Sequence, residues 1–330
     1  MTAATRVTAG PLARPAPPHV TGPPRRADDA GAECLACHGD GRRLAAAGSS
    51  TAGLRVLDFS DGSRSPLEVP GEGRSVEALA WCGDQLVAAT LDGRVHAWEP
   101  GGSGPAWSAV VVPGEETAWV EGLLTSPDGR FVWAAAPRGV TVLDAETGSP
   151  LHTVPGPGWH INAVAALLGR VPQALVQDIS RELAVLDLAG DGPARRVRPP
   201  DPGDCFSLRS GWLAVDPAGR RFVADPRDEP LVIRDLADAR SLITPAGQEG
   251  PCAAAAFTPD GRFLVAASWG GAVRAWDAAT GESVLLAEPH TPSMPMDDWG
   301  HAALALSPDG RGAFTGQGGV WHHDLSPLAA

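Results

Sequence analysis

Hydrophobic and polar positions alternate in short blocks along the whole chain, and turn residues separate the blocks. The clearest unit covers residues 254–287, AAAFTPDGRFLVAASWGGAVRAWDAATGESVLLA. Its apolar and β-branched blocks are typical of short strands, and its Pro-Asp-Gly, Gly-Gly and Thr-Gly segments are typical of tight turns. The unit therefore predicts four consecutive strands: Ala254–Thr258, Phe263–Ser268, Val273–Asp277 and Glu282–Ala287.

Two markers of this unit recur in phase along the chain. The first is the turn after the first strand, which appears as Asp40-Gly41-Arg42, Gly83-Asp84, Asp128-Gly129-Arg130, Gly169-Arg170, Ala218-Gly219-Arg220, Asp260-Gly261-Arg262 and Asp309-Gly310-Arg311. The second is the third strand, which appears as Arg55–Asp58, Val95–Glu99, Val140–Asp144, Ala184–Asp187, Val232–Asp235, Val273–Asp277 and Trp321–Asp324. Seven turns paired with seven third strands predict an all-β, seven-bladed β-propeller with four antiparallel strands in each blade.

The residues of these markers also resemble a known family. The Ser-Pro-Asp-Gly-Arg turn and a third strand that ends in Trp276-Asp277, with Trp98-Glu99 close to it, resemble the bacterial WD40-repeat β-propeller family over roughly residues 32–325. The resemblance implies a WD40-like propeller that serves as a non-catalytic protein–protein interaction scaffold. The family's Gly-His dipeptide is missing at its usual spacing, so we expect apolar packing rather than its hydrogen-bond tetrad to hold the blades.

The domain organisation follows from the position of the last repeat. Too few residues follow Asp324 to form a fourth strand for blade seven. In the family that the chain resembles, an N-terminal strand usually completes this blade. We therefore predict an N-terminal Pro-rich segment with a closing strand (1–31) and a propeller (32–330). Thr5–Gly10 is the favoured closing strand and His19–Gly22 is the alternative, because proline between them lacks the donor that a central strand requires.

Composition narrows the classes of partner. The formal net charge is −13, and all 26 basic residues are arginine. Nucleic-acid binding depends on basic neutralisation of phosphates, so the charge argues against nucleic acid as a partner. There is no apolar segment near the length of a membrane span and no signal-like N-terminus, and five cysteines are an odd number. We expect a cytoplasmic protein with reduced thiols that does not bind membranes. No amphipathic helix suggests a dimer, so a monomer is predicted.

Tryptophan and charged residues mark one end of the propeller channel. Trp119, Trp159 and Trp299 each precede the glycine of a first turn by 10 or 11 residues, which places them where the chain enters an inner strand. Aromatic rings beside carboxylates and imidazoles suit a binding pocket or an interface, although packing at the channel mouth explains them as well. The candidate binding residues are Trp119, Glu121, Trp159, His160, Trp269, Asp297, Asp298, Trp299 and His301.

Two metal-like motifs are interpreted as structural. Cys34-Leu35-Ala36-Cys37-His38 has the letters of a haem attachment site, but the repeat places it in the first strand of blade one. Residues three apart on a strand face opposite ways, which makes a shared ligand unfavourable. The adjacent His322 and His323 point to opposite faces for the same reason. We therefore predict no metal and no cofactor.

The sequence leaves two main functions open, with a third less favoured. A non-catalytic scaffold that binds a protein partner on the channel face is favoured, because no catalytic motif is found. The alternative is a propeller enzyme, a lyase or hydrolase, or a small-ligand binder that uses the same residues. Carbohydrate recognition by exposed indoles is a further hypothesis. No catalytic residue is assigned, and enzyme activity is considered less favourable than scaffolding.

Overall fold

Seven sheets, each built on four antiparallel strands, are arranged as blades around a central channel, which confirms the predicted fold. A computed structural model describes residues 19–21, 24–48, 53–71, 75–111, 119–157, 160–167, 169, 171–190, 194–198, 212–224, 230–247, 252–268, 272–287, 303–316 and 319–329. Strands dominate this part of the chain, which also contains the short 3₁₀ helix Ser326–Ala329. No helix in the described ranges has the length and apolar character needed to cross a membrane.

The strands follow the chain from blade to blade. Two strands precede the first blade: β1 (His19–Thr21) and β2 (Arg25–Asp28). Blades one to three contain β3 (Cys34–Cys37), β4 (Arg43–Ala47), β5 (Leu54–Asp58), β6 (Arg64–Leu67), β7 (Val76–Cys82), β8 (Gln85–Thr90), β9 (Arg94–Trp98), β10 (Trp107–Val110), β11 (Gly122–Thr125), β12 (Phe131–Ala136), β13 (Gly139–Asp144) and β14 (Pro150–Pro155). Blades four and five contain β15 (Ile161–Leu167), β16 (Gln173–Asp178), β17 (Leu183–Asp187), β18 (Arg195–Arg198), β19 (Leu213–Val215), β20 (Arg221–Ala224), β21 (Ile233–Asp235) and β22 (Ser241–Ile243). Blades six and seven contain β23 (Cys252–Phe257), β24 (Phe263–Ser268), β25 (Val273–Asp277), β26 (Ser283–Ala287), β27 (Leu304–Leu306), β28 (Gly312–Thr315) and β29 (Val320–Asp324).

Apolar packing between neighbouring blades forms the core. The first strand of each blade is innermost and contacts the first strands of both neighbours, so the ring closes. Seven clusters of buried residues are found in the described chain, and each lies between two adjacent blades. Trp98 and Trp276 are 1% and 2% exposed and pack against the preceding blade. Each indole also donates to a backbone carbonyl of that blade, at 3.3 and 2.8 Å, respectively.

The strand that completes blade seven is neither of the two predicted segments. Arg25–Asp28 pairs antiparallel with β29, whereas His19–Thr21 pairs parallel with β26 and adds a fifth strand to blade six. The prediction for His19–Gly22 is therefore wrong, and Thr5–Gly10 lies outside the described residues but its predicted place is taken. An outer strand is exposed along one edge, so a segment as polar as Arg-Arg-Ala-Asp fits there. The domain boundary at residue 31 stays a prediction.

A buried ion pair fastens the closing strand to blade one. Arg55 Nε, on β5, donates to Asp28 Oδ2 at 2.5 Å, and both side chains are buried. The Arg55 guanidinium also donates to the carbonyl oxygens of Ala30 and Gly31, just after the closing strand. Arg64 Nη1 lies 3.0 Å from Asp28 Oδ1. These partners replace the water that the buried arginine has lost.

A glycine of blade seven permits a close approach in the same region. Ala32 N donates to Gly316 O at 2.7 Å, so the two backbones lie against each other. A methyl group on Gly316 would lie 1.9 Å from Ala32 O, inside any tolerated contact. Glycine at this position is therefore required for blades seven and one to meet.

Replacing Asp28 with asparagine tests the closure. We expect Asp28→Asn to lower the free energy of unfolding by about 3 kcal/mol, because Arg55 stays buried without its counter-charge. Denaturant unfolding followed by circular dichroism measures the loss. Asp29→Asn is the matched control, since the Asp29 side chain is 80% exposed and pairs with Arg26 on the surface. Equal losses in the two variants would contradict a special role for the buried pair.

Candidate functional site

Three of the predicted site residues meet at the channel end where the inner strands begin, which we call the mouth face. Trp119 and Glu121 lie just before β11, and His160 lies just before β15 in the next blade. Trp119 Nε1 donates to Glu121 Oε1, and His160 Nε2 lies 3.1 Å from the same oxygen. The Trp119 and His160 rings are 5.5 Å apart between centroids. We call these three residues the mouth cluster.

Backbone hydrogen bonds hold both segments of the mouth cluster in place. Glu121 N donates to Ala135 O at 2.8 Å, which continues the pairing between β11 and β12 by one residue. His160 O accepts from Ile179 N at 2.9 Å, beside the end of β16. The side chains therefore project from backbone that belongs to the sheets rather than from free loops. This placement gives the cluster a fixed geometry before any ligand arrives.

Burial controls the ionisation of the cluster's carboxyl group. The side chains of Glu121 and His160 are 9% and 19% exposed. Burial raises the pKa of Glu121, and the hydrogen bonds from His160 and Trp119 oppose that effect. The nearby Glu77 carboxylate also raises the pKa of Glu121. The cluster therefore combines a carboxyl of raised pKa with an imidazole in hydrogen-bond contact, chemistry that suits either recognition or proton transfer.

The structure adds two glutamates that the sequence reasoning missed. Glu33 and Glu77 lie at the starts of the inner strands of blades one and two, at the position that Glu121 has in blade three. In each of the three blades, the residue after the glutamate pairs with an alanine at the equivalent position of the second strand. These alanines are Ala47, Ala89 and Ala135. Glu33 lies as many residues before its turn glycine, Gly41, as Glu121 lies before Gly129, so this spacing could have identified it. Glu77 lies closer to Gly83 because the first turn of blade two is shorter, so the same spacing misses it.

Blade four places an amide at the same position. Asn162 directly precedes Ala163, which pairs with Gln177. Asn162 is 2% exposed, and both of its amide atoms have no hydrogen-bond partner within the described residues; the same holds for Gln177 Oε1. Leaving buried polar atoms unsatisfied costs about 1 to 3 kcal/mol each. The Asn162 amide, two residues after His160, therefore has a donor and an acceptor available for hydrogen bonds.

Six of the nine predicted site residues lie outside the described residues: Trp159, Trp269, Asp297, Asp298, Trp299 and His301. Their convergence with the mouth cluster stays a prediction. The contact between His160 and Glu121 satisfies part of what the enzyme alternative requires, while the position of His301 relative to them is open.

The cysteine motif of blade one is part of the sheet, as predicted. Cys34–Cys37 forms β3, and Cys34 Sγ donates to Glu77 O of the next blade at 3.0 Å. Burial, followed by the charges of Glu77 and Glu33, raises the pKa of the Cys34 thiol well above its ordinary value. Burial and the Asp40 and Asp309 carboxylates raise the pKa of Cys37 to about 11. Both thiols therefore stay protonated at neutral pH and are poor metal ligands and nucleophiles.

The histidine pair of blade seven has separate neighbours. His323 is fully buried, and its Nε2 lies 2.9 Å from Thr315 Oγ1. The ring of His322 packs 5.0 Å from that of Phe314. Within the described ranges no group of three or more His, Cys, Asp or Glu side chains has an arrangement suited to a metal ion.

Comparison with known proteins supports the WD40-repeat resemblance. The family model described as WD domain, G-beta repeat matches residues 240–277, from the last strand of blade five to the third strand of blade six. A crystal structure of the computationally designed Ika8 protein matches with a TM-score of 0.59 at 17% identity, over 86% of this chain and 80% of that chain. A likeness at that identity supports the fold alone.

The curated relatives are fungal. Two proteins described as nuclear distribution protein PAC1, from Arthroderma benhamiae and Trichophyton verrucosum, are each 24% identical over 298 residues. The match covers 86% of this chain and 58% of each relative, so the chain spans little more than half of their length. A periodic tryptophan protein 2 homolog from Schizosaccharomyces pombe is 31% identical over 100 residues, 30% of this chain and 11% of the relative.

The ionisation of Glu121 predicts a pH-dependent stability. The folded protein holds the Glu121 proton more tightly than the unfolded chain, whose carboxyl titrates near 4.5. The contribution of this group to stability is therefore greatest below that pH and is lost as the pH rises through the raised folded pKa. Glu121→Gln accepts the same hydrogen bonds but has no proton to lose, so we expect wild type to lose stability relative to this variant as the pH increases.

Urea unfolding at a series of pH values measures the difference between wild type and Glu121→Gln. Glu146→Gln, which changes an exposed carboxylate on a turn of the same blade, is the control and should track wild type. A wild-type-to-Glu121→Gln difference that is constant across the series would contradict the raised pKa.

Proposed function

We propose that this protein is a non-catalytic scaffold that binds a protein partner on its mouth face. The observation that carries the proposal is the mouth cluster, in which a partly buried indole, a carboxyl and an imidazole from two blades share one point of contact. Tryptophan fixed in a partly desolvated setting is typical of interface hot spots. The cluster also has polar atoms that can align a partner's hydrogen-bonding groups.

The comparisons and the charge favour the same function. WD40 propellers generally bind protein partners, and the fungal relatives are named for nuclear distribution, a role that names no chemical reaction. The net charge of −13 disfavours nucleic acid and anionic membranes as partners. We also propose that the protein is monomeric and cytoplasmic. Membership of a bacterial branch of the family belongs to this proposal as well, since the curated relatives are fungal.

A small-ligand or enzymatic function is the second candidate. It is favoured by one observation, the contact of 3.1 Å between His160 Nε2 and a Glu121 carboxyl whose pKa burial raises. Such a pair can hold or transfer a proton in a lyase or hydrolase. It requires a ligand that reaches both groups through the channel mouth. This candidate would take a small molecule rather than a protein as its partner.

Partner capture with paired variants tests the scaffold. We expect Trp119→Ala/His160→Ala to weaken partner binding by more than about 30-fold while the protein stays folded, because a hot-spot residue contributes about 2 kcal/mol or more. Capture from lysate of the native host, followed by titration of the enriched protein, measures the effect. Leu151→Ala is the matched control, because Leu151 is an exposed apolar side chain on the outer strand of blade three.

Two results would reject the scaffold. Equal binding by wild type and the double variant would remove the mouth face as the docking surface. Failure of wild type to enrich any protein, with a metabolite bound in a Glu121-dependent way, would favour the small-ligand function instead.

A further inference from the structure

Blade two has a shorter first turn than its neighbours. Residues 82–85 are the four that separate the paired Trp81 and Leu86. In blade one, six residues, 38–43, separate the equivalent pair Cys37 and Leu44. Blade three likewise has six, 126–131, between Thr125 and Val132. Two residues are therefore missing from blade two on the side of the propeller opposite the mouth face, which we call the turn face.

In blades five to seven, consecutive turns pack together on the turn face. A methyl group on Gly261 would lie 3.2 Å from Pro217 Cδ of the preceding blade, and one on Gly310 would lie 3.3 Å from Pro259 Cδ. Proline of one turn thus covers glycine of the next. Blade two has no proline in its turn, and blade one has Gly39 at the proline position. The proline-on-glycine contact is consequently absent on both sides of blade two, where His38 Nε2 lies 3.0 Å from Gly83 O and Cys82 Sγ donates to Gly129 O at 3.3 Å.

Two open clefts lie beside this short turn, and Trp81 lines both. The first, of about 440 Å³, lies between blades one and two and is bounded by His38, Gly39 and Asp84. The second, of about 430 Å³, lies between blades two and three and is bounded by Pro127 and Asp128, among others. We call the two clefts together the blade-two notch. Both clefts are open to solvent beside Trp81.

Trp81 is held rigidly in the notch. Its Nε1 donates to Ala36 O of blade one at 2.9 Å, and its carbonyl accepts from Thr125 Oγ1 of blade three at 3.0 Å. The His38 ring meets the indole edge-to-face with centroids 4.8 Å apart. The Arg43 guanidinium already lies 5.5 Å from the indole centroid. The chain itself thus uses this indole as a surface for a cation.

Carboxylates line both clefts of the notch. Asp84 is 66% exposed at the side chain and contacts Arg43, which also binds Asp40. Asp128 is exposed on the other side of the notch, and the Ser126 hydroxyl and the Arg130 N–H keep its pKa below the ordinary value. Asp128 also adds to burial in raising the pKa of the Cys82 thiol, which reports the negative potential there. Indole and carboxylates together favour a positively charged occupant.

We propose that the blade-two notch is a second docking site, which binds an arginine or lysine side chain from an extended segment of a partner protein. The cation packs on the Trp81 indole and pairs with Asp128 and Asp84. The site lies on the turn face, so it acts independently of the mouth cluster and could be occupied at the same time. It therefore goes beyond the function proposed for the mouth face.

Fluorine NMR of 5-fluorotryptophan-labelled protein tests the proposal, with the Trp81 signal assigned from Trp81→Phe. The probe is the peptide acetyl-Gly-Arg-Gly-amide, and its citrulline counterpart, equal in shape but uncharged, is the ligand control. We expect a saturable shift of the Trp81 signal with the arginine peptide and at least about 5-fold weaker binding of the citrulline peptide. Equal binding of both peptides, or no saturable shift with either, would overturn the proposal.

Two variants separate the notch from the general acidity of the protein. Asp128→Asn should weaken arginine-peptide binding about 3- to 10-fold, because it removes an ionised partner beside the indole. Asp260→Asn, in the equivalent turn of blade six, is the matched control and should bind as wild type does. Replacing residues 82–85 with the six-residue sequence of 126–131 should fill the notch and abolish the shift. Equal effects of Asp128→Asn and Asp260→Asn would show non-specific attraction and overturn the site.

Discussion

The pairing that closes the ring is the constraint on which the rest of the molecule depends. Every blade packs its two faces against its neighbours, so an open ring would expose the apolar faces of two blades at once. The strand Arg25–Asp28 prevents this by joining blade seven, while the buried contact of Asp28 with Arg55 fixes that strand to blade one. One short polar segment therefore holds the last blade against the first, and this fixes the channel and its two faces.

The repeat and closure of blade seven by an N-terminal strand were predictable, whereas the segment that forms this strand was not, for a physical reason. Turn glycines, short apolar strands and residues that pack between blades, such as Trp98 and Trp276, follow from local backbone conformation and burial. A single repeat is enough to show this pattern. The closing strand lies on an outer edge, where burial demands little of its sequence. Its identity depends on a pair 27 positions apart, Asp28 and Arg55, whose match no local pattern reveals.

The candidate site was also predictable only in part: the sequence placed its residues but not the contacts between their side chains. The offset from the turn glycine placed Trp119 at the mouth, and the next blade placed His160 beside it, because equivalent positions in adjacent blades are neighbours in space. That Glu121 receives both of their hydrogen bonds depends on side-chain geometry that spacing does not specify. The search by tryptophan also passed over Glu33 and Glu77, which share the register of Glu121 without an aromatic neighbour at the same offset.

Blade two departs from the repeat at Trp81 and at its short first turn, and packing alone does not explain this departure. The position of Trp81 is held by Cys37 in blade one, Thr125 in blade three and Phe257 in blade six, so the fold accepts smaller side chains there. An open cleft lies on each side of Trp81 at the short turn of blade two. The open clefts and the exposed Asp84 and Asp128 carboxylates are better explained by a surface that stays available to a cation than by a filled gap.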